Sequence, residues 1–465
     1  MSDAGHNSHG RCRIQILMRT RLSIFYFLQF AVWGCYLSTL GQLLGSGGLG
    51  SDIAWFYAAV GIVSLFMPAF SGHIADVVGK PRNVLAVCHF IGAIMMLCCW
   101  IYCSRHKIFE FKSLFMLYLG FLAFFMPTLA LANTTTFGIL KKNGKMAVDS
   151  FPKIRIWGTI GFVAAMWFVN SAWMEGGQFG FTFSDSHPNA MYRLQYTSGQ
   201  FFAAAITGFI TGIYALTLPS VKQPMSSSTH NWQDIFNLRI FKLFKRKDLR
   251  TFLIFIIFMG VCLQISNGYV VPFINHFMGI QEYMGHFVAS NATLLFSISQ
   301  ISEAFCILLV GISLKRLGIR IVIFLAMVAW SMRFIFLSIG DPGSGLIWLI
   351  LSMIVYGIAF NFLTISSHLY MENKCEEKHR GFGQGLVMMM SNGIGATCGI
   401  IAAGAIVNKY CIWETQQNLA GNTMRLFMGN WETVWLIFGL YAFIVGIAFL
   451  SIFKDKISDN SSRNK

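Results

Sequence analysis

The chain has 465 residues, 55% of them hydrophobic, 15% aromatic and only 12% charged, with a net charge of +16. A soluble domain usually carries about 25% charged residues. Half that level, combined with long uncharged runs, excludes a soluble fold and indicates an integral membrane protein.

At about 20 residues per crossing, apolar windows predict twelve spans, over 22–44, 53–72, 83–103, 113–133, 154–173, 199–219, 251–275, 289–313, 320–339, 345–370, 384–408 and 433–453. Helices are the expected form, because lipid offers unpaired backbone groups no partner. The first run follows Arg11, Arg13, Arg19 and Arg21, as a signal peptide would. It is too long for such a segment and is read as a retained first helix. It contains FLQFAVWG, with Gln29 and Trp33 four apart and able to line a cavity. After the second span comes GHIADVVGKPR. Its Gly72, Asp76, Gly79, Lys80 and Arg82 resemble the loop-2 signature of the major facilitator superfamily. Asp76, Lys80 and Arg82 are therefore expected to gate conformational change, Asp76 by pairing with a neighbouring helix end. The plain alternative for Asp76 is a solvated loop acid.

The fifth span opens IRIWGTIGF, where Arg155, Thr159 and Phe162 form an i, i+4, i+7 stripe. Arg155 lies near the span's end, where a snorkelling arginine is common. The connection 220–250, polar at first and then basic, divides the spans six and six, the outline of a transporter built from two repeated halves. The seventh span carries LQISN, with Gln264 and Asn267 three apart, and the eighth carries FSISQISEAF, with Gln300 and Glu303 three apart and so on one face. Of the 19 acids, Glu303 alone lies well inside a span. A charge at mid-membrane costs at least about 2.5–3.5 kcal/mol, so a proton-exchanging role outweighs a purely structural one. Loop GISLKRLGIR follows, matching in position the loop after the second span. Arg333 in the ninth span has no companion in the sequence. The tenth span reads VYGIAFNF, placing Tyr356, Phe360 and Asn361 together. The glycines of the eleventh span suggest close helix packing or a bend. His89, His368 and most of the cysteines read as packing residues, the cysteines lacking metal-ligand spacing.

Most lysines and arginines fall in the N-terminus, the even-numbered loops and the C-terminus. By the positive-inside rule both termini face the cytoplasm. The +16 charge then needs no nucleic acid, since anionic lipid headgroups suffice. The expected organisation is an N-terminal segment 1–21, a six-helix half 22–219, a central loop 220–250, a six-helix half 251–453 and a tail 454–465. Amides, a hydroxyl, one cation, one anion and aromatic faces together suit a neutral ligand with a flat ring and several hydroxyls.

The chain also resembles the nucleoside:proton symporters of the major facilitator superfamily. The resemblance rests on FLQFAVWG, FMPA, CHFIGAI, MPTLALANT, FPKIRIWGTIGF, LQISN, SISQISE, LSMIVYGIAFNF and NWETVWLIF, which span both halves. It implies an all-α, twelve-helix major facilitator fold that imports nucleosides across the bacterial inner membrane on the proton gradient. It further implies substrate contacts from Arg155, Thr159 and Phe162 and from Gln264, Asn267, Gln300, Glu303, Tyr356 and Phe360. One position departs. Where the family pattern has an Asp, this chain has Asn361, which keeps hydrogen bonding but carries no proton. Glu303 alone then does the coupling, or the chain is an uncoupled facilitator. A sugar or oligosaccharide symporter of the same superfamily is the nearest rival. A sensor lacks a signalling domain here, and an enzyme lacks a nucleophile–base pair or metal cluster. No cofactor or metal is expected; the partners are nucleosides, protons and the lipid bilayer, with the chain acting as a monomer.

Overall fold

The computed structural model describes residues 3–78, 80–142, 147–220, 246–374, 380–417, 421 and 423–453. The predicted tail 454–465 and residues 221–245 of the predicted central loop lie outside the described residues. The long helices are α1 (Asp3–Gly34), α3 (Ile53–Val78), α4 (Pro81–Arg105), α5 (Phe111–Lys142), α6 (Ala147–Ser171), α7 (Gly199–Thr217), α8 (Lys247–His276), α9 (Ala292–Ile339) and α10 (Leu346–Lys374). They continue with α11 (Arg380–Met388), α12 (Ala396–Tyr410) and α13 (Trp431–Ile452), while a short helix α2 (Leu40–Ser46) follows α1. Among the described residues, nine helical stretches are long and apolar enough to cross a membrane. One of these, α9, contains two predicted spans.

Several boundaries differ from the sequence reading for identifiable reasons. Gly318 breaks α9 with φ +74°, a conformation closed to most L-residues. The two arms fold back on each other, since Arg333 reaches Ser299 across them. The loop predicted after the second span is mostly helix, because α3 runs on to Val78. Asp76 therefore sits in the last turn of α3 and not in a loop; its side chain lies outside the described residues. Between α11 and α12 the chain forms a π-helical turn, Met389–Gly395. The glycine-rich run thus both bends and packs closely, since a Cβ on Gly260 of α8 would overlap the Ser391 backbone.

The all-helical expectation also misses two short antiparallel hairpins. Strands β1 (Ala172–Glu175) and β2 (Gln178–Phe181) pair Glu175 with Gln178. The two residues between them, Gly176 and Gly177, have φ of +58° and +78°. Positive φ at both turn positions is what a tight two-residue hairpin requires. Strands β3 (Cys411–Gln417) and β4 (Thr423–Gly429) form the second hairpin.

The chain divides into two compact units. One comprises the described residues of Met1–Leu37, Val63–Val169 and Thr197–His230, and the other those of Ser38–Ile62, Asn170–Tyr196 and Asn231–Lys465. In the first unit, Leu22 and Phe25 of α1 are fully buried with Leu85, Ile139, Ile154 and Ala215. Helix α7 exposes Ile206, Ile210 and Ile213 on one face. Its other face carries Gly208 and Gly212, where a Cβ would press on Ala93 and Phe90 of α4. Lipid tails are as apolar as leucine, so small residues that permit close backbone approach drive such packing.

In the second unit α13 repeats the device. Leu436, Leu440 and Ile447 are exposed, while Gly439 and Gly446 pack on Ile335 and Met327 of α9. Trp413 of β3 fills the space over Gly45 and Gly50, where any side chain would overlap its indole. The segment 170–196 is fastened by a fully buried Arg193. Its guanidinium donates to Asn291 Oδ1 at 3.0 Å and to the Ala190 carbonyl at 3.1 Å, with Asp185 at 3.9 Å. Tyr196 donates to the Ser290 carbonyl at 2.8 Å, and Asn170 donates to Asn291 Oδ1 at 2.7 Å.

Candidate functional site

The predicted site residues fall into two groups, one in each compact unit. In the first unit, α6 presents Arg155, Thr159 and Phe162. Gly158 and Gly161 let α6 lie directly on α1, since a Cβ on Gly158 would stand 2.7 Å from the Phe30 ring and one on Gly161 would overlap the Phe27 backbone. That approach places the Arg155 guanidinium over Phe30, 3.9 Å from the ring centroid. Such a contact contributes about 0.5–2 kcal/mol, depending on desolvation. Arg155 and Thr159 are half-buried, and Phe162 is buried. Arg155 therefore packs against aromatic surface while keeping part of its side chain accessible.

Gln29 and Trp33 part company. Gln29 is fully buried. Its amide donates to Thr128 Oγ1 at 2.7 Å, and its carbonyl meets His89 Nε2 at 2.6 Å. Both its polar atoms are thus used within the helix packing. His89 reads as the packing histidine the sequence suggested. Trp33 is half-buried, and its indole N–H has no hydrogen-bond acceptor among the described residues. Of the gating candidates, Lys80 is exposed. Arg82 donates to the carbonyl of Leu218, at the end of α7.

In the second unit, three helices bring the remaining candidates together. Asn267 donates to Gln264 Oε1 at 3.3 Å, both on α8. On α10, Tyr356 and Phe360 stack in parallel, with centroids 5.8 Å apart and planes 5° apart. Tyr356 has Gln300 as a hydrogen-bonding neighbour and Glu303 and Arg333 as charged ones. Helix α10 approaches the first arm of α9 at Gly357, where a Cβ would stand 2.5 Å from the Ser302 carbonyl oxygen. Asn361 is buried, and its amide donates to the Glu303 backbone carbonyl at 2.6 Å. An ionised carboxylate at position 361 has no proton to donate in that bond. Gln300, Glu303, Asn267 and Phe360 are half-buried.

Sequence reasoning left Arg333 without a companion. It is fully buried; its two terminal nitrogens donate to neutral acceptors, while Nε has no hydrogen-bond partner among the described residues. Nη1 donates to the Ser352 carbonyl at 2.8 Å and to Ser299 Oγ at 3.2 Å, and Nη2 to Ser266 Oγ at 2.8 Å. Its Cζ lies 4.7 Å from the Tyr356 ring centroid. Three isolated serines carry no periodic signal, so only the folded chain reveals the set. Among the described residues no group of His, Cys, Asp and Glu forms a metal-holding cluster.

Comparison with known proteins points one way. The profile of a family described as "Nucleoside H+ symporter" matches residues 16–458. The nucleoside permease NupG of Escherichia coli (strain K12) is 35% identical over 442 residues, covering 94% of this chain and 96% of that protein. The xanthosine permease of the same organism is 32% identical over 437 residues, covering 93% and 95%. A crystal structure of the nucleoside transporter NupG superposes with a TM-score of 0.78 at 33% identity, covering 94% of this chain and 100% of that one.

Proposed function

The chain belongs to the nucleoside H+ symporter family, and from that premise we propose a bacterial inner-membrane carrier of twelve spans with both termini cytoplasmic, working by alternating access. It imports nucleosides together with protons. Arg155, Thr159 and Phe162 contact the nucleoside from the first half. Gln264, Asn267, Gln300, Glu303, Tyr356, Phe360 and Asn361 contact it from the second. Glu303 takes and releases the coupled proton, and Asp76, Lys80 and Arg82 gate the conformational change. The carrier acts as a monomer.

One observation carries this reading: the parallel Tyr356–Phe360 pair, beside an amide at Gln300 and a carboxyl at Glu303. A flat aromatic face with a neighbouring donor–acceptor and a titratable group suits a nucleobase and its ribose. For substrate to bias the halves, it must bind the two states differently. A carboxyl that exchanges its proton as the site opens to each side supplies the coupling.

The test is uptake of labelled uridine and labelled adenosine in cells expressing the chain, with and without a protonophore, against competing uridine, adenosine and free sugars. Concentrative uptake that the protonophore collapses and nucleosides compete supports the reading. Uptake that only equilibrates, whatever the gradient, makes the chain a facilitator, and competition by sugars alone replaces the nucleoside assignment.

A further inference from the structure

We propose that Arg333 is a positioning residue for the second-half substrate face, fixing Tyr356 and the three helices that carry the polar contacts. This rests on the reading above, in which Tyr356 and its neighbours bind nucleoside.

Arg333 is 0% exposed, and among the described residues no carboxylate stands within ion-pair distance of it. A charge so placed is retained only where hydrogen bonds replace its hydration. Its bonds go to three separate places. Ser266 lies on α8 between Gln264 and Asn267, Ser299 immediately precedes Gln300 on the first arm of α9, and Ser352 lies one turn before Tyr356 on α10. Ser352 closes the loop by donating to the Arg333 carbonyl at 2.9 Å. Each anchor is a near neighbour of a proposed substrate contact, and none is itself such a contact.

The guanidinium also acts on Tyr356, one turn beyond Ser352 on α10. It lies against the Tyr356 ring, whose other sides meet Trp330 edge-on at 5.7 Å and Phe360 in parallel. The ring is thus held between a cation and an indole, and its stacking face stays towards Phe360. Lysine cannot substitute for this. A planar fork donates in two directions while its face stacks, whereas an ammonium is a point charge with neither property.

The test is a double-mutant cycle on purified protein in detergent, combining Arg333→Lys with Tyr356→Ala. It reads uridine binding by calorimetry, the KM and maximal rate of uptake in proteoliposomes, and the melting temperature. Arg333→Lys should weaken uridine binding about tenfold, within the range for residues sharing one network. It should raise KM and keep the maximal rate, because a misplaced binding face loses uniform binding. In the Tyr356→Ala background the further loss should shrink to less than about twofold, since most of the effect passes through the ring. A lower melting temperature with unchanged uridine affinity makes Arg333 a structural cation only and overturns the proposal. Equal losses in both backgrounds also overturn it. Unchanged affinity in Tyr356→Ala alone defeats the underlying site reading instead, which separates the two failures. Where Arg333→Lys yields no folded protein, Ser299→Ala removes one anchor without touching the charge and is read in the same cycle.

Discussion

The two compact units share packing devices but place their arginines differently. In the first unit Arg82, at the start of α4, donates to the carbonyl of Leu218 at the end of α7. In the second, Arg320, just past the break at Gly318, donates to the carbonyl of Leu450 in the last turn of α13. Each cation satisfies a carbonyl that a helix terminus leaves without a partner. The glycine faces of α7 and α13 repeat in the same way. Against that shared frame, the first unit keeps Arg155 half-buried on one aromatic ring. The second buries Arg333 completely, wires it to three helices and sets it against the Tyr356 ring. The difference separates an accessible cation, suited to meeting substrate, from a buried one that can act only through neighbours.

The largest expected effect concerns a third arginine, neither accessible nor near the candidate contacts. Arg193→Ala removes the bond to Asn291 and the buried charge partner of Asp185 and should cost about 3 kcal/mol of stability, read by chemical denaturation in mild detergent. Unchanged stability would mean that the segment 170–196 is not fastened there. Arg155→Ala sharpens the comparison with Arg333. It should weaken uridine binding about tenfold, the scale of one lost hydrogen bond from a charged donor, while the melting temperature falls only by the small loss of the Phe30 contact. A large thermal loss with intact binding would reverse the two roles.

Asn361→Asp is smaller. At neutral pH an ionised Asp cannot donate to the Glu303 carbonyl, so about 1 kcal/mol of stability should go. Stability equal to wild type would dismiss that bond as a link between α10 and α9. The smallest effect is a pH dependence outside the spans. Burial raises the Asp185 carboxyl above its ordinary range, and Arg193 only partly offsets it. The sign follows from linkage: a raised folded-state value adds stability that is full at low pH and lost as pH rises through that value. Asp185→Asn should therefore flatten the difference in melting temperature between pH 4 and pH 7. A difference as large as in the wild type would trace it to other groups.

Legibility in the sequence followed periodicity. Long apolar runs marked the helices, and the three- and four-residue spacings of Gln264 with Asn267, Gln300 with Glu303 and Tyr356 with Phe360 put each pair on one face. The paired glycines 176 and 177 held a hairpin signal, masked because Ala172 and Trp173 read as the end of a span. The loop read at GISLKRLGIR holds Gly318, whose positive φ breaks the helix between the eighth and ninth spans. Arg333 needed the fold, because its partners are single serines on three helices and 19 to 67 residues away. Gln29 shows the opposite error. Its spacing from Trp33 suggested a shared cavity face, yet Thr128 and His89 use both of its polar atoms.

The most direct measurement is uridine transport by Glu303→Gln in proteoliposomes, comparing gradient-driven accumulation with counterflow exchange. Accumulation above equilibrium should disappear while exchange persists, because the glutamine keeps the hydrogen bonding and loses the proton. Full accumulation by this variant would contradict the assignment of coupling to Glu303.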